Sequence, residues 1–384
     1  MESTVLIRVS GRDRPGITAG LMAVLAQSDA AILDVEQVLV RGRLSLDVLI
    51  SVPEGKGTIK DVLFYGWEKG LATDFEVVEA DAVEPSSRSV VTLIGAEVGP
   101  VAFGAVANAI AEGGGNIDRI VRLSKYPVVS YELAITDGDL DSMRAALVEV
   151  ARTNPVDLAI QAEGINRRSK RLVMLDVDST LIQNEMIESL AQIAGTWDKV
   201  QAITAAAMAG EIDFEESLRQ RVRMLAGLDE AAVDQAWDGI RLTPGAKTFI
   251  ATLKRIGMKV GIVSGGFTVF TDRLKRELDL DHAFANELEI RDGKITGEVI
   301  GDIIDRRKKA DVLRIVASAE GIPLGQTVAV GDGANDLDML AAAGLGIAFN
   351  AKPVVKEAAD TAVSVPYLDA ILFLLGLSTA DITD

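Results

Sequence analysis

Four short, almost wholly apolar runs constrain this chain more than any other feature: Leu172 to Asp176, Lys259 to Ser264, Thr327 to Asp332 and Gly344 to Phe349, with helical patterns between them. Runs of this kind suit strands buried on both faces, and such strands belong to parallel sheets covered by crossover helices. In an open sheet of that type ligands bind beyond the carboxyl ends of the strands. Three polar clusters sit at those ends and are expected to converge: Asp176-Val177-Asp178-Ser179-Thr180, Ser264-Gly265-Gly266-Phe267 and Gly331-Asp332-Gly333-Ala334-Asn335-Asp336. Lys308 and Lys309 open the helix before the third strand. Singly, an Asp-x-Asp is a common surface pattern and a Gly-Asp-Gly a common turn; their joint occurrence in this order points to a site. A mostly helical insertion from about Glu185 to Leu242 is placed to cap the sheet, and the turn signal Arg291-Asp292-Gly293-Lys294 within Ala285 to Asp305 predicts a β-flap beside it.

The first 160 residues follow another plan. Gly11, Gly20 and Asp34 recur as Gly95, Gly104 and Asp118, a constant offset of 84. The first copy reads strand, helix, strand, strand, helix, strand: Val5 to Ser10, Ile17 to Gln27, Ile32 to Val40, Leu44 to Val52, Ile59 to Leu71 and Phe75 to Glu79. The second runs from about Ser89 to Gln161. A βαββαβ order over about 80 residues predicts an antiparallel sheet with two helices on one face. The expected domains are therefore residues 1–83, 84–166 and 167–384, with Ala82 to Ser87 joining the copies. The basic stretch Asn166-Arg167-Arg168-Ser169-Lys170-Arg171 is read as a solvated linker before an α/β wound parallel sheet with a helical cap.

Composition narrows the chemistry. With no cysteine and a single histidine among 384 residues, a disulfide framework, a thiolate zinc site, a cysteine nucleophile and a histidine relay are all excluded, so reactivity must come from carboxylates. His282 has no neighbouring ligand types and is given a surface or capping role. A formal charge of −18 argues against coating nucleic acid or an anionic membrane. No run reaches the roughly 18 apolar residues of a membrane span, and the acidic start Met1-Glu2-Ser3 lacks the pattern of a signal peptide. A cytoplasmic location is expected.

The quoted motifs, together with Glu185, Phe214-Glu215-Glu216-Ser217-Leu218-Arg219-Gln220-Arg221, Val263-Ser264-Gly265-Gly266-Phe267 and Lys309, resemble the phosphoserine phosphatase family of the haloacid dehalogenase-like superfamily from Leu172 to Leu377. The duplicated half resembles ACT domains, amino-acid-binding regulatory modules, through Gly11-Arg12-Asp13-Arg14-Pro15-Gly16. In the second copy Gly95-Ala96-Glu97-Val98-Gly99-Pro100 departs from that order. The resemblance implies a nucleophile at Asp176, an acid/base at Asp178, and Mg²⁺ held by Asp176, Asp332 and the backbone carbonyl of Asp178, with Asp336 orienting that shell. It implies phosphate contacts from Ser264, Gly265, Lys309 and Asn335, the neighbouring Lys308 being the competing lysine. Glu185 would take the substrate ammonium, Arg221 its carboxylate, and Met208 and Phe214 would close the pocket. It further implies hydrolysis of O-phospho-L-serine as the last step of serine biosynthesis, L-serine as an effector at the Asp13 and Gly16 loop, and a homodimer. Two alternatives stand beside this reading: a phosphatase for another small phosphomonoester or a phosphoprotein, and an amino-acid sensor with a vestigial catalytic core.

Overall fold

Alternation of aliphatic and polar residues builds the first sheet. The computed structural model describes residues 2–53, 57–78 and 87–382, but not the side chains of Glu2 and Met208. The chain divides into two units, Met1–Glu84 and Pro85–Asp384. In the first, β1 (Glu2–Arg12), α1 (Ile17–Ala26), β2 (Ala31–Val40), β3 (Arg43–Pro53), α2 (Thr58–Lys69) and β4 (Ala72–Val78) form an antiparallel sheet in the order β2-β3-β1-β4. Every second residue of β3, Leu44, Leu46, Val48, Ile50 and Val52, is buried and meets Leu21 and Leu25 of α1 and Val62 and Tyr65 of α2. The edge strand β2 stays exposed throughout, Ile32, Val35, Leu39 and Val40 included.

The second unit begins with the same motif. β5 (Arg88–Gly95), α3 (Pro100–Glu112), β6 (Gly115–Ser124), β7 (Val129–Asp137), α4 (Leu140–Thr153) and β8 (Asp157–Ala162) give the order β6-β7-β5-β8, so the sequence offset is a repeat of topology. The expected joint at Ala82 to Ser87 lies almost entirely outside the described residues.

The expected solvated linker is corrected by the structure. Residues Ile165–Arg168 form a short helix, α5. The Arg167 side chain is only 8% exposed because it pairs with both Glu132 of β7 and Glu163. Lys170 Nζ donates to the carbonyls of Gly325 and Gly344 at 2.8 and 2.9 Å. Arg167 and Lys170 are thus held by specific acceptors, while Arg168 and Arg171 stay exposed as expected, a division that a one-dimensional charge count cannot reveal. Further bonds fasten the second repeat to the sheet that follows: Thr361 Oγ1 to Leu158 O at 3.0 Å, Ser364 N–H to Asp157 Oδ2 at 2.6 Å and Gln161 Nε2 to Leu374 O at 3.0 Å.

That sheet has seven strands: β9 (Leu172–Leu175), β10 (Lys259–Phe267), β11 (His282–Arg291), β12 (Lys294–Ile300), β13 (Thr327–Gly331), β14 (Gly346–Phe349) and β15 (Thr361–Val363), ordered β12-β11-β10-β9-β13-β14-β15. Pairing is parallel except between β11 and β12, which form the flap. Successive residues of β9 serve opposite faces. Val173 and Leu175 join Phe249 and Leu253 of α10 (Ala246–Arg255) and Phe270 of α11 (Thr268–Glu277), whereas Leu172 and Met174 join Leu313 and Val316 of α12 (Arg306–Ala319), Met339 of α13 (Leu337–Ala342) and Val355 of α14 (Pro353–Ala358). Burial on both faces explains the continuous apolar runs. Between β9 and α10 the insertion folds as α6 (Met186–Ile193), α7 (Trp197–Met208), α8 (Phe214–Arg223) and α9 (Ala231–Asp238). His282 opens β11, half-buried, with Nε2 2.8 Å from Glu320 Oε1.

Candidate active site

β9 delivers Asp176 to the centre of the sheet's carboxyl edge, where its N–H bonds Val330 O at 2.8 Å. The chain then turns sharply through Val177–Leu181, with Ser179 in the left-handed region at φ 59°. This turn brings Asp178 toward the same edge: Oδ1 accepts the Met186 N–H at 2.8 Å and Oδ2 accepts the Ser264 hydroxyl at 3.0 Å. Ser264 Oγ in turn accepts the Gly266 N–H at 2.7 Å. A Cβ on Gly266 would approach Met186 Cε to 2.8 Å and Asp178 Oδ2 to 3.2 Å, so glycine permits this close packing. A Cβ on Gly265 would sit 3.2 Å from Phe214 Cζ, which places the Phe214 ring over this loop.

Asp305 caps α12, its Oδ1 accepting the Lys308 N–H at 2.7 Å. The helix then separates the two lysines. Lys309 is 1% exposed, and its Nζ donates to Asp176 Oδ1 and Asp336 Oδ1, both at 2.7 Å. Lys308 points outward to Asp302 Oδ2 at 3.0 Å. β13 ends beside β9, and the turn after it presents Asp332, a half-buried Asn335 and a fully buried Asp336, whose Oδ2 accepts the Gly333 N–H at 3.0 Å. Thus Asp176, Lys309 and Asp336 are directly bonded, and Asp178 and Ser264 likewise.

Electrostatics follows from crowding acids in a buried place. Burial first, and the charge of Asp336 next, push the Asp176 carboxyl well above its usual range, against the pull of Lys309. Burial and then the Glu185 charge raise Asp178 to about 7, although the Met186 and Ser264 hydrogen bonds favour its ionised form. Asp332 rises to about 6 through burial and Asp336. Burial works against the Lys309 ammonium, but Asp176 and Asp336 outweigh it and keep that group firmly protonated. One lysine cannot neutralise three acids. Oxygens of Asp176, Asp332 and Asp336 lie within 4.8 Å of one another, a hard, all-carboxylate donor set that fits a divalent cation such as Mg²⁺.

The cap adds one acid and one base. Glu185 Oε1 accepts the Ser179 hydroxyl at 2.9 Å, which joins the start of the cap to the Asp178 turn. Burial raises its carboxyl, with Arg221 opposing. Burial lowers the Arg221 guanidinium, while Glu185 and then Asp178 favour its charge. The Met208 side chain lies outside the described residues. In the first unit Gly16 caps α1 at φ 92°, on the turn that includes the half-buried Asp13, whose N–H bonds Gly42 O at 2.9 Å.

Three further residues matter to the site and were given no role from the sequence. Thr180 Oγ1 donates to Asp332 Oδ1 at 3.2 Å, Thr243 Oγ1 donates to Thr180 O at 2.7 Å, and Ser179 holds Glu185. Thr180 and Ser179 stood within the first motif; Thr243 had no signal, since it arrives from 63 residues further along.

The chain is similar to known proteins over nearly its whole length. Residues 173–341 match the haloacid dehalogenase-like hydrolase model, and residues 3–76 and 86–161 each match an ACT domain model. The chain is 51% identical to a phosphoserine phosphatase of Streptomyces coelicolor, over 99% of this chain and 93% of that protein. It is 48% identical to a phosphoserine phosphatase of Mycobacterium tuberculosis, over 99% and 94%. Among solved structures, a phospho-aspartyl intermediate analogue of a phosphoserine phosphatase covers 53% of this chain and 98% of that one, at 46% identity and TM-score 0.51. An unliganded probable phosphoserine phosphatase from Vibrio cholerae covers 76% and 88%, at 36% identity and TM-score 0.59.

Proposed function

Because this chain belongs to the phosphoserine phosphatase family of haloacid dehalogenase-like hydrolases, with two ACT domains ahead of the catalytic one, we propose that it hydrolyses O-phospho-L-serine to L-serine and phosphate through an aspartyl-phosphate on Asp176. The observation that carries the substrate assignment is the presence in the cap of one acid, Glu185, exposed beside the Asp178 turn, and one half-buried base, Arg221, each feeling the other's charge. A zwitterion with an ammonium and a carboxylate needs that pair.

In the first half-reaction an Asp176 oxygen attacks phosphorus as the bond to the serine oxygen breaks, and Asp178 gives that oxygen its proton. The raised carboxyl of Asp178, at about 7, supports this acid role. In the second, Asp178 takes a proton from water, whose oxygen attacks phosphorus; the Asp176–phosphate bond breaks and the carboxylate is restored. Lys309 and Ser264, with the Gly265 amide, hold the phosphoryl oxygens, Asn335 borders them, and Phe214 excludes water. Mg²⁺ would be held by Asp176, Asp332 and the Asp178 carbonyl, and when bound it neutralises charge on the phosphoryl group. Asp336, the third carboxylate of that cluster, acts in this reading as an orienting residue, tied to Lys309 through Oδ1 and to the Gly333 N–H through Oδ2.

The ACT domains serve regulation and assembly in this reading. L-serine binds at the Asp13 and Gly16 turn, and a second copy of the chain covers the exposed apolar edge strand β2. The deciding experiment is phosphate release from a panel of phosphomonoesters with and without Mg²⁺, with mass spectrometry of the trapped phosphoenzyme. Strong preference for O-phospho-L-serine, Mg²⁺ dependence and label on Asp176 are expected. Equal rates across the panel, or label elsewhere, would overturn the substrate or the covalent route respectively.

A further inference from the structure

The ladder between β10 and β11 breaks where the site begins. Val263 pairs with Phe284, and pairing resumes only at Phe267 with Asn286. Three residues of β10, Ser264, Gly265 and Gly266, therefore stand opposite Ala285 alone and bulge from the sheet. A bulge takes backbone groups out of the ladder, and a buried carbonyl so released needs another donor. Asn286 is that donor. Its Nδ2 gives a hydrogen bond to Gly265 O at 2.8 Å, and its Oδ1 accepts the Ile304 N–H at 2.7 Å, in a side chain only 1% exposed. Ile304 immediately precedes Asp305, which caps α12 with its side chain and accepts the Lys309 N–H through its carbonyl at 3.0 Å. One planar amide thus joins the bulge that carries Ser264 to the helix start that carries Lys309.

We infer that Asn286 is a positioning residue for phosphoryl transfer, fixing the spacing between the Ser264–Gly265 bulge and Lys309. The inference rests on the phosphatase reading above, because that spacing matters only if both elements grip one phosphoryl group. Shape alone does not account for the residue: the site uses a donor at one end of the amide and an acceptor at the other, a combination that leucine and ionised aspartate both lack.

The test compares Asn286→Asp and Asn286→Ala in the full chain. Asp keeps the volume and the bond from Ile304 but turns an oxygen toward the Gly265 carbonyl; Ala loses both bonds. Measured together are kcat/KM on O-phospho-L-serine, inhibition by orthovanadate as a mimic of the transferring group, and thermal melting. The ratio of rates on O-phospho-L-serine and O-phosphoethanolamine, which lacks the carboxylate, reports on the cap. Misplacing a gripping group by about 1 Å costs on the order of 10²-fold, so a loss of that order is expected in both variants. Vanadate inhibition should weaken in step, with the rate ratio at its wild-type value. A folded Asn286→Asp chain with near-normal kcat/KM would overturn the inference. So would unchanged vanadate inhibition, a collapsed rate ratio, or melting of both variants below the assay temperature, since each assigns Asn286 to general structure. A wild-type chain inert toward every phosphomonoester would instead remove the phosphatase reading, and this inference with it, an outcome distinct from normal variants of an active enzyme.

Discussion

Replacing Lys309 by Met tests the charge balance of the site most directly, because the substitution roughly conserves buried volume and deletes only the ammonium. Each of its two contacts, at 2.7 Å to Asp176 and Asp336, is worth about 6 kcal/mol of attraction at an effective dielectric of about 20. Desolvation of the three groups offsets much of this, and removing one partner of a buried ion pair typically costs about 3–5 kcal/mol net. At 2–4 °C per kcal/mol for a domain of this class, melting should fall by about 10 °C near neutral pH. The sign of the pH dependence follows from the carboxylates. Asp176 already has a raised folded pKa, and without the pull of Lys309 its carboxyl rises further. A carboxyl with a raised folded pKa contributes stability that is present below its unfolded value and lost as pH rises through the folded value. The deficit of the variant should therefore be small near pH 4 and widen toward neutrality. The assay is urea or thermal unfolding of wild type and Lys309→Met across that range. A deficit independent of pH, or none at pH 7, would refute the idea that Lys309 compensates two buried ionised acids.

Other perturbations separate the remaining roles. Asp178→Asn should abolish turnover of O-phospho-L-serine yet spare phosphoenzyme formation from an aryl phosphate, whose leaving oxygen needs no proton; equal loss on both in burst kinetics would contradict an acid role. Arg221→Ala should cost about 2–5 kcal/mol on O-phospho-L-serine and much less on O-phosphoethanolamine, as measured by kcat/KM. Gly16→Val should remove inhibition by L-serine and its calorimetric binding, since a β-branched residue is strained at φ 92° and reshapes the start of α1; inhibition retained at full strength would place serine elsewhere. Leu39→Lys on β2 should shift the sedimentation of a dimer toward the monomer, and an unchanged profile would move assembly to another surface.

Much of this protein is determined locally and is legible in its residues. The four apolar runs read as buried strands because a strand covered on both faces admits few polar side chains, and successive residues of β9 indeed enter the two cores on opposite sides of the sheet. The repeat was visible because glycine positions and period-2 alternation survive duplication even where the Asp13-Arg14-Pro15-Gly16 order does not. The polar strand ends marked the site because topology alone brings the carboxyl ends of neighbouring parallel strands together.

What depends on contacts between distant segments was decided only in three dimensions. Sequence left Lys308 and Lys309 open, since adjacent helical residues differ by about 100° in direction and only the placement of α12 selects which one meets Asp176. β15 is three residues long, too short for a pattern, and is a strand because β14 offers it an edge. Arg167 looked like a solvated charge until Glu132, from another domain's sheet, covered it. Asn286 and Thr243 carried no signal at all, because their partners, Gly265, Ile304 and Thr180, are neighbours only after folding. Hydrophobic period and turn chemistry act over a few residues and can be read along the chain; a hydrogen bond's worth depends on burial and direction, which exist only once the sheet has closed over it.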